Sequence, residues 1–142
     1  MMKLKRGGSE NLALLLDTQI LVWIGSDNPR LPKPVLDEIL SVDTPLFVSA
    51  VTAWEFVDLE DRHRFPEGVS FPAIIDRLDA KLLDYPADAW KVVRHLPKIH
   101  LDPVDRMVIA HAMLADLTLV TADEQMRGYP VKSFWKDGGR QP

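Results

Sequence analysis

Leu12-Ala13-Leu14-Leu15-Leu16 is an unbroken apolar run that stops at Asp17 and Thr18. With no polar alternation, such a run suits a strand buried on both faces, as in a parallel sheet covered by helices. The carboxylate then falls just past the strand's C-terminal edge, where open α/β sheets place their ligands. A chain that opens this way is constrained to an α/β architecture.

Strands alternate with helices along the rest of the chain. Thr18 to Gly25 predicts a short helix, with Gly25 as its C-terminal stop. A turn from Asp27 to Pro32 leads to a helix from Lys33 to Ser41, with Pro34 in its first turn. Leu46-Phe47-Val48 predicts a second buried strand, and Ser49 caps a helix from Ala50 to Asp61. After a polar loop from Arg62 to Ser70, a helix is expected over Phe71 to Leu78, a strand over Lys81 to Asp84 and a helix over Ala87 to His95. Pro97 to His100 reads as a loop. Asp102 is a good N-cap for a helix reaching about Leu114, with Pro103 at N1 and Asp105 at N3. Thr118-Leu119-Val120 predicts a strand, a helical turn reaches Gly128, and Val131 to Trp135 predicts an edge strand. The pattern gives an α/β fold, a central parallel sheet with helices on both faces.

At 142 residues the chain suits one domain that can bury a real core without staples. Residues 1–11 read as a flexible N-terminal extension, 12–135 as the domain and 136–142 as a tail. The absence of cysteine excludes disulfides and thiolate zinc sites. Lys3, Lys5 and Arg6 before an apolar run imitate a secretion signal, but Asp17 and Gln19 interrupt the run and no small-residue cleavage site follows. No stretch reaches the ~18 apolar residues of a membrane span, so the expected location is the cytoplasm. A net charge of −4 means that a nucleic-acid partner needs a local basic patch or metal ions at an acidic site.

Four carboxylates share one structural context. Asp17 follows the first strand, Asp123 follows the Thr118–Val120 strand, Glu55 lies on the second turn of the helix after the second strand, and Asp105 lies in the first turn of a helix leading into a strand. In a parallel sheet these points fall at one edge. Glu55 is in line with Val51 and Leu59 at i, i+4 spacing, beside Trp54: it is either a boundary glutamate whose stem packs while its head reaches water, or a carboxylate aimed into a cleft. Converging carboxylates repel unless a cation lies among them, and Mg2+ or Mn2+ prefers oxygen donors. Such a site suits phosphodiester hydrolysis. Taken singly, Asp17, Asp105 and Asp123 are better explained as helix caps or first-turn acids; together those explanations weaken, because they do not account for Glu55 or for the choice of strand ends. Nucleophile-elbow, phosphate-loop, dinucleotide and zinc-pair motifs are absent. Trp54, Trp90 and Met107 are expected in the core, and His111 packed or solvated.

The segments LLLDT, SAVTAWEF, HLDPVDRMVIAHA and LVTADEQM…YPV…W resemble, in that order, the motifs of PIN-domain proteins, most closely the VapC-type toxins of bacterial toxin–antitoxin pairs. The resemblance covers roughly Leu12 to Trp135. It implies a PIN fold and a Mg2+- or Mn2+-dependent endoribonuclease that cleaves RNA, is restrained by a small cognate antitoxin protein and forms a homodimer. On that mapping Asp17, Glu55, Asp105 and Asp123 match the family's catalytic, metal-binding acids. Thr18, Thr121 and Arg106 match supporting positions, and Asp102 is a cap. The chain departs from close relatives at Val57-Asp58-Leu59-Glu60-Asp61, acidic where a lysine-containing stretch is usual, with Arg62, His63 and Arg64 just after it. Two other readings stay open. One is a non-catalytic PIN-like interaction module. The other is an aspartyl-nucleophile phosphohydrolase, disfavoured because Gln19 stands where that class has a second acid.

Overall fold

Leu14, Leu15 and Leu16 are each fully buried in β1 (Leu14–Leu16). The computed structural model describes residues 12–99 and 102–137. The expected extension before Leu12, the loop end at His100 and the tail from Gly138 lie outside the described residues. β1 pairs in parallel with β2 (Leu46–Ser49) on one side and with β4 (Thr118–Val120) on the other. β3 (Lys81–Leu83) and β5 (Ser133–Phe134) add parallel edges, giving the order β3-β2-β1-β4-β5. Flanking partners on both sides and cover on both faces leave β1 no contact with water, which is why its sequence tolerates no polar alternation.

Side chains alternate between two cores. Leu14, Leu16, Val48 and Val120 pack under α1 (Thr18–Gly25), α2 (Lys33–Leu40), α3 (Ala50–Asp61) and α4 (Phe71–Leu78), with Ile20, Val35, Phe56 and Ile74. Leu15 and Leu119 point the other way, into a core with Val108, Ile109 and Ala112 of α6 (Pro103–Ala115) and Met126 of α7 (Glu124–Arg127). Helices therefore cover both faces, as the alternation of elements predicts. No described helix is long and apolar enough to cross a membrane.

Several local readings are corrected. Gly25 ends α1, but without a left-handed turn. The positive φ lies two residues on, at Asp27 (49°). A Cβ on Gly25 would lie 2.6 Å from Ile74 Cδ1, so glycine there lets α4 pack closely on the end of α1. The helix expected over Ala87 to His95 is only α5 (Ala89–Val93). Ala89 N–H donates back to Pro86, and His95 and Leu96 close the far end with i→i−3 bonds to Val92 and Val93. Of Val131 to Trp135 only Ser133–Phe134 pairs as strand. Trp54 and Trp90 are not core residues: they are 63% and 56% exposed. On α3 the buried side chains are Thr52 and Phe56, which leaves Trp54 facing outward. Met107 is half-buried, and His111 is buried, with Nδ1 2.8 Å from Ser49 Oγ. Burial lowers the His111 pKa and favours a neutral ring.

Candidate active site

From β1 the chain builds outward through β2 and β3, then returns to lay β4 on the opposite flank of β1. Adjacent strands whose connections leave in opposite directions open a crevice at their C-terminal ends. Asp17 and Thr121 stand at these two ends, and Asp17 N–H donates to the Val120 carbonyl at 3.3 Å. A cleft of about 420 Å³ opens there. Asp17, Glu55, Asp105 and Asp123 all line it, together with Thr18 and Thr121.

Each acid is held by its local backbone. Asp17 is the N-cap of α1, and its Oδ1 accepts from Ile20 N–H at 3.1 Å. Asp123 is the N-cap of α7 and accepts from Gln125 N–H at 2.8 Å, while its own N–H donates to Thr121 Oγ1 at 3.1 Å. Glu55 accepts a short hydrogen bond from the Thr18 hydroxyl. Asp105 lies in the first turn of α6, capped by Asp102, whose Oδ1 accepts from Val104 and Asp105 N–H at 2.8 and 3.3 Å. So the cap geometry and the shared cleft hold together; one does not exclude the other.

The electrostatics follow from crowding. Burial raises the Asp17 carboxyl from 3.8 to about 6. The Thr121 hydroxyl and Ile20 N–H oppose that rise, and the charges of Glu55 and Asp123 add to it. Burial also raises Glu55; Thr18 opposes the rise, and Asp102 and Asp58 reinforce it. Among the described residues no three acidic or imidazole groups form a ready-made set that would hold a metal ion. Mg2+ keeps several waters and takes one or two carboxylates, so an open cleft lined by carboxylates suits it better than a closed cage would.

Arg106 does not reach into the cleft for charge balance. Its Nη1 donates to the Pro97 carbonyl at 2.7 Å and its Nη2 to the Val93 carbonyl at 2.9 Å, tying α5 and the following loop to α6. Nη1 also lies 3.3 Å from Tyr129 Oη. Arg106→Ala is expected to lower unfolding stability by about 2 kcal/mol, since two carbonyls lose a charged donor. Denaturant midpoints at unchanged slope measure this; a shift equivalent to only a few tenths of a kcal/mol would show that these bonds are idle.

Among the lining residues that sequence reasoning missed are Trp23, Arg30 and Phe65. Arg30 sits in the loop between α1 and α2, where no periodicity marks a residue. Its local signal is the Asn28-Pro29 turn, in which Asn28 Oδ1 accepts Arg30 N–H at 2.9 Å.

The sequence model of the PIN domain matches residues 14–132, most of the chain. The chain belongs to the PIN domain family. Similar solved structures include VapBC2 of Rickettsia felis bound to a DNA fragment from its promoter, at 17% identity and a TM-score of 0.66, covering 87% of this chain and 98% of that one. DNA-bound VapBC from Salmonella typhimurium is 16% identical, with a TM-score of 0.61 over 87% and 97% of the two chains. The sarcin–ricin-loop-cleaving toxin VapC20 of Mycobacterium tuberculosis is 18% identical, with a TM-score of 0.56 over 82% and 96%. No curated protein matches by sequence. At these identities the structural likeness speaks for the fold alone.

Proposed function

We propose that this PIN domain is a divalent-metal-dependent endoribonuclease that acts as the toxin of a toxin–antitoxin pair. The observation that carries the reading is the convergence of Asp17, Glu55, Asp105 and Asp123 on one cleft at the strand-order reversal, with Asp17 buried among like charges. Buried, mutually repelling carboxylates are stabilised by a cation, and hard oxygen donors select Mg2+ or Mn2+. The four acids would hold the ion, directly or through its waters, and it would supply a Lewis acid and lower the pKa of a bound water. The chain's own groups fix the donors. Thr121 orients Asp17 and the Asp123 backbone, and Thr18 orients Glu55. Similar structures described as VapBC complexes, and one described as an RNA-cleaving toxin, support an antitoxin partner and an RNA substrate. An anionic cleft fits a restraining protein that inserts a basic side chain.

Purified, partner-free protein is expected to cleave RNA with Mg2+ or Mn2+, to lose cleavage in EDTA and to regain it when metal is restored. Metal binding should also raise the melting temperature, by mass action on the folded state; at 100 times the dissociation constant the gain is ~2.7 kcal/mol. Full cleavage under chelation would overturn the reading. An inert protein whose melting ignores Mg2+ would instead favour an interaction module with an idle pocket.

A further inference from the structure

Several arginines of the described chain are committed to structural contacts. Arg106 holds carbonyls, Arg127 donates to the Thr121 carbonyl at 2.8 Å and lies over the Trp135 ring, and Arg62 pairs with Asp58 at 3.2 Å. Arg30 differs. It is exposed, lines the acidic cleft, and makes no ion pair among the described residues, although four carboxylates line the same space. The turn at Asn28 holds its backbone in place. Trp23 and Phe65 line the same cleft, and Trp23 is braced by Trp135 with ring centroids 6.5 Å apart. A cation beside an apolar aromatic wall, next to a carboxylate cluster, matches the parts of a nucleotide: a phosphate for the guanidinium and a base for the rings.

We propose that Arg30 is an RNA-binding residue that grips a phosphodiester adjoining the one to be cut, with the neighbouring base resting against Trp23 and Phe65. This rests on the ribonuclease reading above and names how that site takes a single strand despite a net charge of −4. The guanidinium fork matches phosphate oxygens in pairs, which a lysine cannot do. Arg30 holds a phosphate other than the one to be cut, so its removal weakens binding more than turnover.

The test uses a short single-stranded RNA and the variants Arg30→Gln, Arg30→Lys and, at the opposite edge of the sheet, Lys81→Gln. Arg30→Gln should raise KM about ten-fold, the scale of losing a charge-assisted hydrogen bond, with kcat near wild type. Arg30→Lys should keep the charge yet also raise KM. In an Asp17→Asn background, RNA affinity measured by fluorescence anisotropy should lose about 0.7 from the slope of log affinity against log salt when Arg30 becomes Gln. Lys81→Gln should change neither quantity, and melting curves should show all variants folded. An unchanged KM and slope in Arg30→Gln, or an equal change in Lys81→Gln, would overturn the proposal. A wild type that cleaves no RNA would defeat the ribonuclease reading instead, while the anisotropy slope still judges Arg30 by itself.

Discussion

Asp17→Asn is expected to reduce RNA cleavage by more than about 100-fold while leaving a folded protein. Losing a group that merely supports a metal ligand already costs 10–100-fold, and a direct ligand costs at least as much. The substitution is close to isosteric. The Asn side-chain oxygen still accepts from Ile20 N–H, so the cap on α1 survives. What is lost is one negative charge at the centre of the cleft. Mg2+ should therefore stabilise the wild type and stabilise the variant much less. If Asp17 were only a cap, cleavage by Asp17→Asn would stay near wild type and both proteins would respond equally to Mg2+. The measurement is a cleavage assay beside melting curves with and without metal.

Apo Asp17→Asn should also be more stable than the apo wild type at neutral pH, which is the reverse of what most substitutions of a buried polar residue do. The Asp17 carboxyl sits at about 6 in the folded chain against 3.8 as a free side chain. An acid with a raised folded-state pKa binds its proton more tightly when folded. Its contribution to stability is therefore greatest below about pH 4 and falls as pH rises through the window from 3.8 to about 6. Above that window the burden on the wild type is roughly 3 kcal/mol in metal-free buffer. Comparison of wild type and variant isolates this group from the other carboxylates. Their unfolding free energies should converge near pH 4 and diverge towards pH 7.5, where the variant melts roughly 10 °C higher. Parallel pH profiles would show that Asp17 carries no such burden. Excess Mg2+ should reduce the gap, because the cation favours the ionised form that burial disfavours.

The two predictions depend on a cleft whose parts were unequally legible in the sequence. The starts of α1 and α3 and the central strands were readable because an apolar run meets a capping residue there, Asp17 before α1 and Ser49 before α3, with Pro45 ahead of β2. The four acids were readable because strand ends and helix starts in a parallel sheet must share an edge. Burial on α3 was not readable in the same way. Spacing shows that Val51, Glu55 and Leu59 share a face, but not which face meets the sheet; packing buries Thr52 and Phe56 and leaves Trp54 in water. Trp90 misled for a related reason, since α5 is a single short turn that can cover only Ala89 fully. Arg30 lay in a loop, where position depends on the path of the chain and no periodicity reports it. Arg106 was readable as part of a motif, but its three acceptors come from segments 9 to 23 residues away, which the local sequence does not reveal.

One feature of the cleft bears on how such a chain changes over generations. Asp17 and Asp123 each accept a backbone N–H at the start of a helix while facing the crevice. Asparagine fills the same capping role, and a single-nucleotide change in an aspartate codon produces it. A lineage can therefore lose the negative charge at either position without losing the helix start, the sheet or the outer surface. On the proposed ribonuclease reading, catalysis and architecture are separable by one mutational step, which leaves the fold and the outer surface as they were.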